Sequence, residues 1–233
     1  RFLPALEAEG LIERLGEVIL DGALSALKRW DEAGLIVPTV AINVSDAELR
    51  NPKFCDRIRW ELDRHEIPAD RLTIEILETV TSEGDVDVVA HNLRGLARLG
   101  CRIDMDDFGT GNASLAALRR FSVDRIKIDR SYVSEVDSDQ NQQSMVAAIV
   151  TMAEQLDLET LAEGVETEGE HAMVAQLGCR YVQGYGIARP MSAEACREWL
   201  AKFEADNKAS TLPELKATAH KPVPRRGGNG KTA

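Results

Sequence analysis

The stretch CRIDMDDFGTG, residues 101–111, decides the expected fold of this chain. Its first six residues are a strand candidate, with the apolar residues Cys101, Ile103 and Met105 among them. Gly100, just before them, ends a helical pattern at the position that glycine favours. The run closes on two adjacent aspartates, Asp106 and Asp107, and a loop with two glycines follows. A helix, a strand and a polar loop in this order predict one unit of an alternating α/β protein.

The same alternation continues outward along the chain. The predicted strands cover residues 39–43, 72–75, 101–106, 125–129, 159–163 and 181–182. Helical periodicity predicts one helix over residues 2–19 and further helices over 55–65, 85–99, 115–119, 141–156, 168–177 and 193–203. Helices between successive strands imply parallel pairing with right-handed crossovers, and both an open doubly wound sheet and a closed barrel meet that requirement.

Length and composition limit the class of protein. The chain has 233 residues, 44% of them hydrophobic, which suffices for one core. We expect a single domain over residues 1–205 and a disordered basic tail over 206–233. The formal net charge of −11 argues against DNA or RNA as a partner. No apolar run approaches the roughly 20 residues that span a bilayer, so we expect a cytoplasmic protein, with any membrane anchor of a longer parent lying upstream.

Polar side chains stand at the carboxyl end of every predicted strand, where parallel α/β folds place their ligands. Helix capping or a nearby salt bridge explains any one of them, but six in succession favour a shared site. The residues are Asn43, Glu75, Asp106 with Asp107, Lys127 with Asp129, Glu163 and Gln183.

Carboxylates gathered at one rim repel each other unless cations are present, so this arrangement predicts a metal site. All-oxygen ligands select hard ions, Mg²⁺ or Mn²⁺, and a pair of such ions suits attack of water on a phosphodiester. Lys127 is positioned either to hold the attacking water or to form a salt bridge to the same acidic cluster. The glycines after Asp107, Gly109 among them, allow the loop to approach a ligand with its backbone.

Six short motifs, taken in order, resemble the bacterial EAL domains, phosphodiesterases that open cyclic di-GMP to linear pGpG. They are INVS (42–45), EILE (75–78), DDFGTG (106–111), KID (127–129), AEGVE (162–166) and QGY (183–185), followed by Pro190. The resemblance covers about residues 2–201 and implies a TIM-like (β/α)8 barrel of the EAL type.

The resemblance also implies roles for individual residues. Asn43, Glu75, Asp106, Asp107 and Glu163 are similar to the metal ligands of the family. The expected catalytic groups are Lys127, Glu163 and Glu78, and the expected substrate contacts are Gln183, Asp107 and Gly109. Glu78 resembles the glutamate that steadies the loop after the paired aspartates, which matters because loop position sets metal geometry. Asp129 and Glu166 match the motifs but are expected to be structural.

Three departures from the family pattern bear on activity. The first two strands of the barrel, including the EAL motif itself with its metal-binding glutamate, do not precede the opening helix, so we expect six of eight strands and little hydrolysis by this chain alone. Leu77 replaces the usual threonine, and Asn112 with Ala113 replaces Tyr-Ser.

Three hypotheses on function follow. The first is a Mg²⁺- or Mn²⁺-dependent cyclic di-GMP phosphodiesterase, the second an inactive cyclic di-GMP sensor, and the third a scaffold that docks a partner. Clustered acidic residues count against the scaffold because they cost stability without a ligand. The resemblance is compatible with a homodimer and with sensor or GGDEF domains upstream.

Overall fold

Six parallel strands form one curled sheet in the computed structural model, which describes residues 3–78, 86–110 and 115–209. The strands pair in chain order: β1 (Val40–Asn43), β2 (Leu72–Leu77), β3 (Arg102–Phe108), β4 (Arg125–Ile128), β5 (Glu159–Ala162) and β6 (Tyr181–Val182). All six predicted strands are therefore confirmed. β2 extends two residues past its predicted end because its ladder with β3 continues to Leu77 and Asp106, and β3 extends two residues because Phe108 pairs with Ile128 of β4.

Helices follow the strands as the periodicity predicts. They are α1 (Leu3–Ala8), α2 (Ile12–Glu32), α3 (Asp46–Arg50), α4 (Phe54–His65), α5 (Val86–Leu99), α6 (Leu115–Arg120), α7 (Arg130–Val133), α8 (Gln140–Gln155), α9 (Glu168–Gln176) and α10 (Ala193–Ala209). None of the helices within the described ranges could cross a bilayer. α10 continues past the predicted domain end at residue 205, and the predicted tail beyond residue 209 lies outside the described residues.

The predicted single helix over residues 2–19 is wrong. Gly10 adopts φ +68°, outside the right-handed helical region, and thereby separates α1 from α2. The predicted C-terminal glycines are confirmed: Gly100 (φ +118°) follows α5 and Gly178 (φ +91°) follows α9. The sequence pattern missed α3 and α7 because one or two helical turns are too short to show a period.

Alternation along each strand separates an apolar face from a polar one. In β3, Ile103 and Met105 are fully buried in the core, whereas Asp104 and Asp106 face the inside of the curl. The helices cover the apolar face, and one continuous core results. Its largest fully buried side chains include Leu24, Leu27, Phe54, Ile58, Ile74, Leu93, Leu96 and Phe121.

The curl stays open within the part of the chain that the structure describes, because β1 and β6 each pair with one neighbour only. Residues on its inner face near these edges are consequently exposed. Asn43 and Gln183 belong to this group, and the Leu77 side chain is 44% exposed. The sheet is thus a partial barrel, as the six-strand expectation required.

Candidate metal centre

Lys127 is the centre of the strand-end cluster. Its ammonium group donates to Oε1 of Glu163 at 2.8 Å, to Oδ1 of Asp106 at 2.9 Å and to Oε2 of Glu75 at 3.0 Å. The lysine is 2% exposed, Glu75 8% and Asp106 9%, so these charges interact with little screening by water. Four of the predicted site residues, from β2, β3, β4 and the end of β5, are therefore in direct contact.

Asp106, Asp107 and Glu163 bring carboxylate oxygens within 4.8 Å of one another. In a regular strand two adjacent side chains point to opposite faces, so Asp106 and Asp107 could not both face Glu163. The register between β3 and β4 shifts between Met105 and Phe108, and Asp107 adopts the left-handed conformation with φ +53°. This irregularity turns both aspartates toward the same site, a known use of β-bulges.

The cluster carries more negative than positive charge. One ammonium faces the four carboxylates of Glu75, Asp106, Asp107 and Glu163. The pKa of Glu163 is raised to about 7, mainly by burial. The hydrogen bond from Lys127 acts to lower this pKa, and the charges of Asp106 and Glu75 act to raise it. Burial likewise raises the pKa values of Glu75 and Asp107.

The pKa of Lys127 moves in the direction that favours its charged form. Burial by itself would lower it, but the bonds to Glu163, Glu75 and Asp106 raise it above its ordinary value. These contacts favour the protonated lysine, which donates hydrogen bonds to the three carboxylates. The salt-bridge alternative for Lys127 is the arrangement in this structure.

The donor set fits a hard divalent cation. Three mutually close carboxylates with no histidine or cysteine match the ligands of Mg²⁺ and Mn²⁺. The excess of negative charge around Lys127 is a second reason, since a divalent ion would offset the charges of Asp106 and Glu75, which add to the rise that burial causes in the pKa of Glu163.

The loop after Asp107 is held from two sides at Gly109. The Gly109 N–H donates to Oε2 of Glu78 at 3.0 Å, and the Gly109 carbonyl accepts from the Tyr132 hydroxyl at 2.6 Å. Glycine is required here, because φ is +99° and a Cβ atom would lie 2.8 Å from Cε2 of Tyr132. Glu78 thus contacts the loop it was expected to steady.

The loop after Glu163 is held in a similar way. Gly164 adopts φ +67°, and the Arg130 side chain occupies the space that a Cβ atom would need. Arg130 also pairs with Glu166 at 2.8 Å, which gives Glu166 the structural contact expected of it. Asp129 caps α7 by accepting from the Ser131 N–H at 2.9 Å, a contact compatible with the structural role expected of it.

Two predicted site residues remain outside the cluster. Asn43 is in register with Glu75, but its side chain is exposed at the edge of the sheet. Gln183 binds the loop after β5 only through its backbone, and its exposed side chain makes no hydrogen bond to the cluster in the described residues. Asn112 and Ala113 lie outside the described residues.

Sequence reasoning missed three residues that organise the site. Tyr132 and Arg130 lie on the short helix α7, and no local pattern marks them. Arg125 pairs with Asp104 deeper inside the curl, beneath Lys127 and Asp106. A signal for this pair was present in the sequence, because residues two apart share a strand face. Asp104 lies two residues before Asp106, and Arg125 lies two residues before Lys127.

A second cluster, Asp21, Glu61 and His65, lies between α2 and α4. The Arg64 guanidinium binds Glu61 at 2.6 Å and contacts Asp21 as well. Because Arg64 already binds both carboxylates, this cluster is not a metal candidate of equal standing.

The curled parallel sheet with a carboxylate cluster at its carboxyl edge defines a TIM-barrel-like α/β protein with a metal-type site. The family model described as the EAL domain matches residues 1–190. The chain belongs to the EAL domain family.

Two relatives and one solved structure illustrate the similarity. The bifunctional diguanylate cyclase/cyclic di-GMP phosphodiesterase MucR of Pseudomonas aeruginosa is 37% identical over 83% of this chain and 28% of that protein. The cyclic di-GMP phosphodiesterase NbdA of the same organism is 34% identical over 88% of this chain and 26% of that protein. The structure of the PaMucR phosphodiesterase in complex with c-di-GMP superimposes with a TM-score of 0.78 at 36% identity, covering 84% of this chain and 78% of that one. The chain spans about a quarter of the length of these curated relatives.

Proposed function

We propose that this chain forms the catalytic core of a metal-dependent phosphodiesterase that hydrolyses cyclic di-GMP to linear pGpG. One observation carries the proposal: carboxylates of Asp106, Asp107 and Glu163 converge within 4.8 Å beside the buried ammonium of Lys127. Membership of the EAL family and the names of MucR and NbdA supply the substrate.

Asp106, Asp107 and Glu163 are proposed to hold Mg²⁺ or Mn²⁺, with Glu75 and Asn43 completing the ligand set from the neighbouring strands. When bound, such ions supply a hydroxide from water at neutral pH and neutralise charge on the phosphoryl oxygens.

Lys127 remains protonated and has up to three N–H donors, now directed at three carboxylates. Binding of cations by those carboxylates would release donors, which Lys127 can direct at the attacking water or at charge that develops on the phosphate. Gly109, two residues after Asp107, is the proposed backbone contact to substrate from this loop. Gln183 is the proposed polar contact to substrate from the far edge of the sheet.

The test is hydrolysis of cyclic di-GMP by the complete gene product that contains this chain, with Mg²⁺ or Mn²⁺, followed by chromatography of pGpG. Glu163→Gln keeps the size of the side chain but removes a charge, and we expect it to lower turnover at least about 100-fold. Glu168→Gln is the matched control, because Glu168 is exposed in the first turn of α9, and its turnover should equal that of the wild type.

Turnover by Glu163→Gln at the wild-type rate would refute the proposal. Tight binding of cyclic di-GMP by the wild type without pGpG formation would support the alternative, an inactive sensor of cyclic di-GMP.

A further inference from the structure

The short helix α7 (Arg130–Val133) lies between the two loops that carry the candidate metal ligands. It follows β4 directly and is capped by Asp129, two residues after Lys127. On one side Tyr132 contacts Gly109, in the loop after Asp107. On the other side Arg130 packs over Gly164, the residue after Glu163. One helical turn therefore contacts the loop after Asp107 and the loop after Glu163.

Tyr132 contributes more than its ring to this contact. The ring fills the space beside Gly109, which a phenylalanine would do equally well. The hydroxyl adds a 2.6 Å hydrogen bond to the Gly109 carbonyl. Because Glu78 accepts from the N–H of the same glycine, both polar backbone groups of Gly109 are held by side chains that follow other strands. Asp107 lies two residues before Gly109, and the direction of the Asp107 side chain depends on the left-handed backbone conformation of that residue.

The helix itself is well anchored, so it can serve as a fixed support. The Asp129 side chain accepts from the Ser131 N–H at 2.9 Å, and the Ser131 carbonyl accepts from Gln142 of α8 at 2.9 Å. Val133, the last residue of α7, is fully buried in the core. Because α7 is fixed to β4, α8 and the core, a side chain on α7 restrains the loop at Gly109 more than a side chain on a mobile segment could.

We propose that Tyr132 is a positioning residue for the metal centre, and that its hydroxyl fixes the distance between the Asp107 and Glu163 carboxylates by restraining Gly109. The inference rests on the proposed function. Ligand geometry in metal sites is exacting, and loss of a group that orients a ligand typically lowers metal affinity about 10- to 100-fold.

The experiment measures Mn²⁺ binding by titration calorimetry to the complete gene product carrying Tyr132→Phe. We expect an affinity about 10-fold below that of the wild type. Turnover should recover at saturating Mn²⁺, with the KM for cyclic di-GMP unchanged. In the metal-free protein the Gly109 amide should exchange its hydrogen faster, since its restraint from one side is lost.

Tyr181→Phe is the matched control. It also removes one hydroxyl, which binds Glu159 at 3.2 Å at the opposite end of the strands, and it should leave Mn²⁺ affinity unchanged. Equal Mn²⁺ affinity in the wild type and Tyr132→Phe would overturn the inference, as would an equal loss in both variants, which would indicate a general effect on the fold.

Failure of the proposed function gives a different result. If the wild type binds Mn²⁺ but forms no pGpG, the phosphodiesterase proposal fails, and the calorimetric comparison still decides the role of Tyr132. If the wild type binds no Mn²⁺, both proposals fall.

Discussion

The ammonium of Lys127 lies 2.8 Å from the carboxylate of Glu163, and both groups belong to a cluster with an excess of acidic residues. Removing the positive charge of Lys127 should therefore destabilise the metal-free protein. We expect Lys127→Met to lower the free energy of unfolding by about 3 kcal/mol, because it leaves buried carboxylates uncompensated. Urea unfolding with and without Mn²⁺ measures the difference in free energy of unfolding between the variant and the wild type. Bound Mn²⁺ should make this difference smaller.

Neutralising the acidic partner of the same contact should instead stabilise the metal-free protein. Glu163→Gln removes one negative charge from the cluster while leaving an oxygen that can accept from Lys127. We expect it to raise the free energy of unfolding of the metal-free protein by about 1 kcal/mol at pH 8, a gain typical of neutralised functional sites. Lower stability for Glu163→Gln than for the wild type would show that the repulsion has been overestimated.

Metal binding should stabilise the fold through the carboxylate cluster. At a Mn²⁺ concentration about 100 times the dissociation constant, linkage gives about 2.7 kcal/mol. For a chain of this size that is a rise in melting temperature of about 5 to 10 °C. Asp107→Asn should abolish most of the rise, whereas Asp63→Asn, at an exposed position on α4, should keep it. Equal shifts in both variants would contradict the assigned site.

The buried pair Asp104–Arg125 should matter for stability. Asp104 is fully buried and binds the Arg125 guanidinium. Arg125→Met leaves this carboxylate buried without its partner and should lower the free energy of unfolding, measured in urea, by about 3 to 5 kcal/mol. Arg59→Met breaks an exposed pair with Asp56 and should cost less than about 1 kcal/mol.

A compensated variant sharpens that prediction. Replacing both partners, as Asp104→Leu with Arg125→Met, leaves no buried charge unpaired and should recover most of the lost stability. A double variant as unstable as Arg125→Met alone would mean that the packing of Arg125 on Tyr181, and not its charge, is what stabilises the sheet.

Glu170 should make the stability depend on pH. Burial acts to raise its pKa, but N–H groups of Glu166, Glu135 and Thr167 bind its carboxylate and bring the pKa below its ordinary value. A lowered pKa in the folded state adds stability that is present above about pH 4.3 and is lost as the pH falls through the folded value. Glu170→Gln should therefore cost about 1 kcal/mol at pH 7 and less near pH 3.5.

Urea unfolding at the two pH values tests this difference. Glu168→Gln, exposed on the same helix, should show no such change between pH 7 and pH 3.5. A constant deficit for Glu170→Gln across the range would assign its effect to packing.

The sequence predicted the number and order of the strands because the pattern of buried residues repeats over short distances. The apolar positions of β3 and β4 and the glycines after α5 and α9 are local signals of this kind. Residues 2–19 show the limit of such signals: the apolar spacing continues across Gly10, but the backbone there turns out of the helix. α7, with only four residues, leaves no period to detect.

By itself the sequence determined which residues could form the site, since acids and a lysine at successive strand ends meet at one edge of any parallel sheet. Only the tertiary structure decided which of them meet. The bulge at Asp106 and Asp107, the burial that raises the pKa of Glu163 and the contact of Tyr132 with Gly109 all depend on groups that are distant in the chain. Asn43 and Gln183 match the same motifs, yet their side chains are exposed at the open edges of the curl. The physical reason is that a motif specifies side-chain chemistry, whereas distance, burial and direction are set by the packing of neighbouring elements.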